Sequence, residues 1–130
     1  MIYPRFLTDG STIGIPAPSA GIPPKKELSF DLSLENLRKN GYKIQECDGI
    51  RNENYPSDRA EKRADDVNSL IKNDNIDLIL CATGGDFLVE ILPYIDYDAM
   101  AKNPKWIQGY SDPTSILFSV TKDPAILSIS

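Results

Sequence analysis

Three features of the sequence predict an α/β fold built on an open parallel sheet. Strand-like and helix-like segments alternate along the 130 residues, an order that requires right-handed crossovers between parallel strands. One run, residues 76–82 (I-D-L-I-L-C-A), has the near-continuous hydrophobicity of a strand buried on both faces. Glycine and proline punctuate the turns between the segments, where such units change direction.

The elements follow in order. Residues 12–16 (T-I-G-I-P) form a short apolar strand entered from the Thr8-Asp9-Gly10 turn. Residues 16–24 contain four prolines and read as an irregular loop. A helix is predicted over 25–40, with Phe30, Leu34 and Leu37 on one face and Gly41 just past its end. A second strand spans 42–47, followed by a polar loop. Asp58 and Glu61 have the spacing of a capping box ahead of a helix in which Ala60, Ala64, Val67 and Ile71 recur at helical intervals. Arg59, Lys62 and Arg63 read as its solvated face. The third strand is 76–82. It runs through Thr83-Gly84-Gly85-Asp86 into an apolar helix containing Phe87, Leu88, Ile91 and Leu92. Asp96 and Asp98 read as capping or solvating the connection that follows. A fourth strand covers 105–110 and a fourth helix 112–120, with Pro113 in its first turn. Lys122-Asp123-Pro124 ends that helix. Residues 125–130 (A-I-L-S-I-S) then read as the start of a further apolar element, so the chain is expected to be cut short.

Composition excludes several functions. Fourteen basic against nineteen acidic residues give a net charge of −5, leaving no cationic surplus for a nucleic acid partner. No apolar run approaches a membrane span and the first residues lack a signal-peptide core, so no membrane partner is expected. Cys47 and Cys81 both sit in apolar strand-like runs and read as buried free thiols of a cytoplasmic protein. There is no histidine, so neither a Ser-His-Asp/Glu triad nor a histidine-ligated metal site can be assembled within the chain. No metal site and no cofactor are expected.

Ligands of open α/β sheets bind beyond the carboxyl ends of the strands. Three such ends are distinctive: Pro16-Ala17-Pro18-Ser19, Ala82-Thr83-Gly84-Gly85-Asp86 and Gly109-Tyr110-Ser111-Asp112-Pro113-Thr114. The last has a serine at a strand-to-helix turn, two residues after a glycine, as in a nucleophile elbow. There the Asp112 N–H and the helix dipole would face an oxyanion. Pro113 replaces the final glycine of the usual pattern. On pattern alone the same residues read first as a simple helix cap, with Ser111 as N-cap and Asp112 adding first-turn charge. The Gly84-Gly85 turn presents bare amides suited to a carboxylate, phosphate or oxyanion, but taken alone it reads as a plain tight connection that needs glycine.

Taken together and in order, these segments resemble the LD-carboxypeptidase family of serine peptidases, which includes the microcin C immunity proteins. The matching pieces are Pro4-Arg5-Phe6-Leu7 with Asp9-Gly10, Ala17-Pro18-Ser19, residues 57–66 (S-D-R-A-E-K-R-A-D-D), Ile76-Asp77-Leu78-Ile79-Leu80, Gly84-Gly85, Leu92-Pro93-Tyr94-Ile95-Asp96, Asn103-Pro104-Lys105 and residues 109–114. The resemblance implies a flavodoxin-like N-terminal nucleophile domain over residues 1–130, helices on both sheet faces, and a C-terminal domain absent from this chain. It implies Ser111 as nucleophile and the backbone N–H groups of Asp112 and Gly85 as oxyanion hole. Gly84, Asp86 and Ser19 would bind substrate. The base, a histidine held by a glutamate, would come from the second domain. The implied partner is a small peptide or peptide conjugate, cleaved at the L,D bond of a muropeptide or at the bond joining a peptide to a nucleotide-like toxin. The full-length form would be a homo-oligomer and this chain alone inactive. Asp86-Phe87, where cell-wall members often carry an aromatic residue and another glycine, lies nearer the immunity branch. The rival reading is a non-catalytic flavodoxin-like domain that binds a carboxylate or phosphate on the same rim.

Overall fold

The computed structural model describes residues 3–121. The element expected over 125–130 lies outside the described residues. Four parallel strands, β1 (Thr12–Ile15), β2 (Lys43–Glu46), β3 (Leu78–Leu80) and β4 (Trp106–Gln108), form one sheet in the order β2-β1-β3-β4. This is the flavodoxin-like order, with the chain reversing direction across the sheet between β1 and β3. Register is set by the central pairs Ile13–Ile44, Gly14–Ile79 and Ile79–Ile107.

Helices cover both faces, as the fold class requires. On one face α1 (Pro24–Lys39) buries Leu34, with Phe30 and Leu37 beside it, against Ile13, Ile15 and Leu78. On the other face α2 (Ala60–Lys72) buries Ala64, Val67, Leu70 and Ile71 against Ile76, Ile79 and Ile107. The second core extends to α3 (Tyr97–Lys102) through Met100, and to α4 (Thr114–Thr121) through Ile116, Leu117 and Val120. Each such aliphatic side chain contributes about 1.5–3 kcal/mol by leaving water. β3 buries side chains into both layers, which explains its unbroken hydrophobicity. Among the described residues no helix is long and apolar enough to cross a membrane.

The N-terminal segment straps the α1 face of β3 and β4. The Arg5 guanidinium and the Thr12 N–H share the Asp77 carboxylate (2.6 and 2.9 Å), the Trp106 indole donates to the Arg5 carbonyl at 2.8 Å, and Phe6 stacks on Trp106. Burial pushes the Asp77 carboxyl up, but the Thr12 N–H and Arg5 outweigh it and hold the group below the usual carboxylate range.

Several local expectations are corrected. α2 begins at Ala60 with Arg59 at its N-cap, and among the described residues the Asp58 carboxylate accepts only from the adjoining Arg59 N–H (2.7 Å), so no capping box forms. The apolar segment after the glycine turn is a 3-10 helix, Leu88–Tyr94, with Phe87 outside it. Pro93 within that segment removes a donor and disfavours a longer α-helix. Asp96 does cap, but what it caps is a helix the periodicity did not reveal: its carboxylate accepts the Ala99 N–H of α3 at 2.9 Å. Arg63, read as solvated, is buried.

Candidate active site

β1, β3 and β4 end side by side, so their loops meet on one rim. The Ala82 N–H donates to the Pro16 carbonyl (2.9 Å), Cys81 to Gln108 (2.9 Å) and Ala20 to Gly84 (3.3 Å). These bonds lace the three segments together before any side chain contributes. Both thiols are free, and burial pushes Cys47 and Cys81 up to about 12, which leaves them poor nucleophiles.

Ser111 is the one non-glycine residue among those described with positive φ, at 65°. A residue bearing a Cβ adopts this conformation at a cost of about 1–3 kcal/mol, and such strain gathers where the surroundings enforce it. The helix cap reading fails here. α4 opens through the Ser111 and Asp112 carbonyls, which accept from Thr114 and Ser115 at 3.0 Å, and not through the Ser111 hydroxyl. That hydroxyl has no hydrogen-bond partner among the described residues, and the side chain is exposed beside Gly84. Gly109 explains the proline in the motif. A Cβ there would lie 2.6 Å from the Pro113 Cβ and 3.2 Å from that of Cys81, so glycine lets the buried proline close the turn.

Gly85 is held as tightly. Its φ is 153°, and an added Cβ would fall 2.2 Å from the Ser19 hydroxyl and 3.0 Å from the Ala20 nitrogen. Ser19 is fully buried, its hydroxyl accepting the Phe87 N–H at 3.0 Å and its carbonyl the Ser57 N–H at 2.9 Å. It therefore stands behind the glycine turn as a support and does not face the open side. Gly85→Ala should cost about 1–3 kcal/mol by overpacking, read as a lower urea midpoint at unchanged slope. A midpoint equal to that of the unaltered chain would show that the turn yields freely.

The two acidic residues of the site are both engaged. The Asp112 carboxylate accepts the Leu88 N–H at 2.9 Å, tying the serine turn to the start of the 3-10 helix. The exposed Asp86 carboxylate accepts the Tyr55 hydroxyl, and that bond pushes the Tyr55 phenol up from its ordinary range. The Tyr55 ring also meets the Phe87 ring edge-on, centroids 4.8 Å apart. By contrast, the backbone N–H groups of Gly85 and Asp112 donate to no acceptor among the described residues.

These groups border a cavity of about 380 Å³ lined by Ser111, Tyr110, Gly84, Gly85, Tyr55, Lys25 and Lys26, among others. The sequence-predicted Ser111, Gly84 and Gly85 come together on it, while Ser19, Asp86 and Asp112 back its walls. Tyr55, Lys25 and Lys26 were not anticipated, because a polar loop and a helix start carry no local sign of what they face. Ser57 was also missed as a support. It is buried, and its hydroxyl donates to the Ala17 carbonyl at 2.7 Å.

Comparison with known proteins identifies the family and supports the fold. The family described as the LD-carboxypeptidase N-terminal domain matches residues 13–129. The microcin C7 self-immunity protein of Escherichia coli is 35% identical over 116 residues, covering 88% of this chain and 33% of that protein. A Bacillus subtilis protein named as a probable murein peptide carboxypeptidase is 28% identical over 126 residues, covering 96% of this chain and 39% of its own. The solved structure of the microcin C7 self-immunity protein with glutamyl sulfamoyl guanosine superposes with a TM-score of 0.81 at 35% identity, over 85% of this chain and 33% of that one. The chain thus spans a third to two-fifths of the length of these curated relatives.

Proposed function

The chain belongs to the LD-carboxypeptidase family, and from that premise we propose that it supplies the nucleophile of a serine-type acyl transfer that cleaves an amide bond. The observation that carries the reading is the Ser111 backbone, held at φ 65° beside the glycine turn. An unpartnered hydroxyl on a strained strand-to-helix turn, next to free backbone N–H groups, is the arrangement this chemistry needs.

In the proposed reaction the Ser111 Oγ attacks the substrate carbonyl carbon while a base removes its proton. The negative charge passes to the carbonyl oxygen, which the Gly85 and Asp112 N–H groups stabilise. Collapse of the tetrahedral species breaks the C–N bond, and the base returns the proton to the departing amine. Water, deprotonated by the same base, then hydrolyses the ester on Ser111. The chain has no histidine, so a histidine base, with the glutamate that the family resemblance assigns it, comes from beyond these residues. The substrate is a small peptide or peptide conjugate. The names of the relatives point to murein peptides on one side and to microcin C7 on the other. A cytoplasmic setting suits the two free thiols.

The acyl-enzyme is the species to test. In the native protein, an ester substrate whose acyl group leaves slowly should add the mass of that group to the peptide containing Ser111, seen by mass spectrometry after rapid acid quench. An adduct on any other residue, or turnover with no adduct under burst conditions, would overturn the assignment.

A further inference from the structure

The ionisable side chains lining the Ser111 cavity are unequal in sign. Lys25 and Lys26, at the start of α1, contribute two cations, and Tyr55 and Tyr110 contribute phenols. Among the described residues no carboxylate lines it. Asp86, which accepts the Tyr55 hydroxyl, Asp112, which accepts the Leu88 N–H, and Glu27, next along α1, lie outside the lining. Neither lysine forms an ion pair among the described residues, whereas Lys39, Lys62 and Lys72 each pair with a carboxylate. In a chain of net charge −5, Lys25 and Lys26 are two adjacent cations, unpaired among the described residues, on the nucleophile's own cavity, where they can draw an anion against the charge of the whole molecule.

We propose that Lys25 and Lys26 are specificity residues that hold an anionic group of the substrate, carboxylate or phosphate-like, across the cavity from Ser111. The assignment rests on the proposed reaction only in taking this cavity as the substrate's. Binding of the anion itself requires no chemistry at Ser111. The flexible stems let the ammonium groups follow an anion as a point charge, without the fixed fork an arginine would impose. The two charges therefore set which substrates dwell in the cavity, while the glycine turn and Ser111 act on the bond.

The test uses this chain in solution, with backbone amide NMR signals of Gly84, Gly85 and Tyr110 as reporters. Three probes are titrated: N-acetyl-D-alanine, its neutral amide, and inorganic phosphate. At least one anion should shift these signals saturably and the amide should not. In the Lys25→Glu/Lys26→Glu double variant the anion's affinity should fall about tenfold or more. Binding of the carboxylate alone, or of phosphate alone, identifies the anion's source and supports the proposal. Equal affinity in the double variant, equal binding of the amide, or no saturable shift overturns it. Lysine-dependent binding together with a failed acyl-enzyme trap would thus remove the reaction and keep the anion site.

Discussion

Ser111→Ala in the native protein should lower turnover by about 10⁴- to 10⁶-fold while leaving the fold unchanged, if the proposed acyl transfer holds. The magnitude follows from what the substitution removes. The attacking oxygen goes, but the free Gly85 and Asp112 N–H groups remain, so the residual rate reflects binding and oxyanion stabilisation alone. KM should change little, because the hydroxyl makes no bond that holds a substrate in place. Stability separates this variant from Ser111→Gly. Alanine keeps the cost of φ 65°, whereas glycine adopts that backbone freely, so Ser111→Gly should be more stable than Ser111→Ala by about 1 kcal/mol. Steady-state kinetics and urea denaturation of both variants read the two effects independently. Turnover of Ser111→Ala within tenfold of the unaltered protein would place the nucleophile elsewhere.

Periodicity made the layers of this fold legible. The apolar intervals of α1 and α2 and the unbroken run into β3 mark the sides that face the two cores: Leu34, Ala64, Val67 and Ile71 are buried, and Phe30, Leu37 and Ala60 pack partly buried against them. Elements set by short-range exceptions were harder to read. α3 has six residues, too few for periodicity to register, and its one local sign, Asp96, fits an ordinary loop as well as a cap. In the 3-10 helix the apolar spacing was visible, but the consequence of Pro93 was missed. At the candidate site, the order of glycine, serine and proline marked the strand-to-helix turn without fixing its conformation. A serine cap and a nucleophile elbow share the same letters. They differ in φ at Ser111 and in which oxygen opens α4, and only the backbone supplies those.

Arg63 marks the limit of local reading more sharply. Beside Arg59 and Lys62 it looks like part of a charged helix face, yet it is 1% exposed. Its burial is decided by segments far away in sequence. Nε donates to the Asp58 carbonyl at 2.8 Å, Nη1 to the carbonyls of Pro18 (2.8 Å) and Phe87 (3.0 Å), and Nη2 to Glu90 at 2.5 Å. One guanidinium thus ties α2 to the loop after β1 and to the entry of the 3-10 helix, the walls that hold Ser19 and Gly85.

Arg63→Ala should therefore destabilise the chain by about 3–5 kcal/mol, a large share of the roughly 5–15 kcal/mol typical of a domain. Most of that comes from the carbonyls of Asp58, Pro18 and Phe87 losing a buried donor. The Glu90 pair adds less, because its carboxylate is half exposed and water screens it. Arg63→Met separates the causes, since it restores much of the volume and none of the hydrogen bonds. If the bonds dominate, methionine recovers little of the loss. If packing dominates, it recovers most. Lysine keeps the charge but lacks the planar fork that reaches separate carbonyls at once, so Arg63→Lys should recover only part. Urea denaturation gives the ladder of stabilities, and amide exchange locates it. The Phe87 N–H, bonded to the Ser19 hydroxyl behind the glycine turn, should exchange faster in Arg63→Met than the core strands do. A methionine variant within 1 kcal/mol of the unaltered chain, with Phe87 still protected, would mean that the glycine turn keeps its shape without the guanidinium. The strain at Ser111 would then be enforced from within its own turn, by Gly109, Pro113 and the Asp112–Leu88 bond.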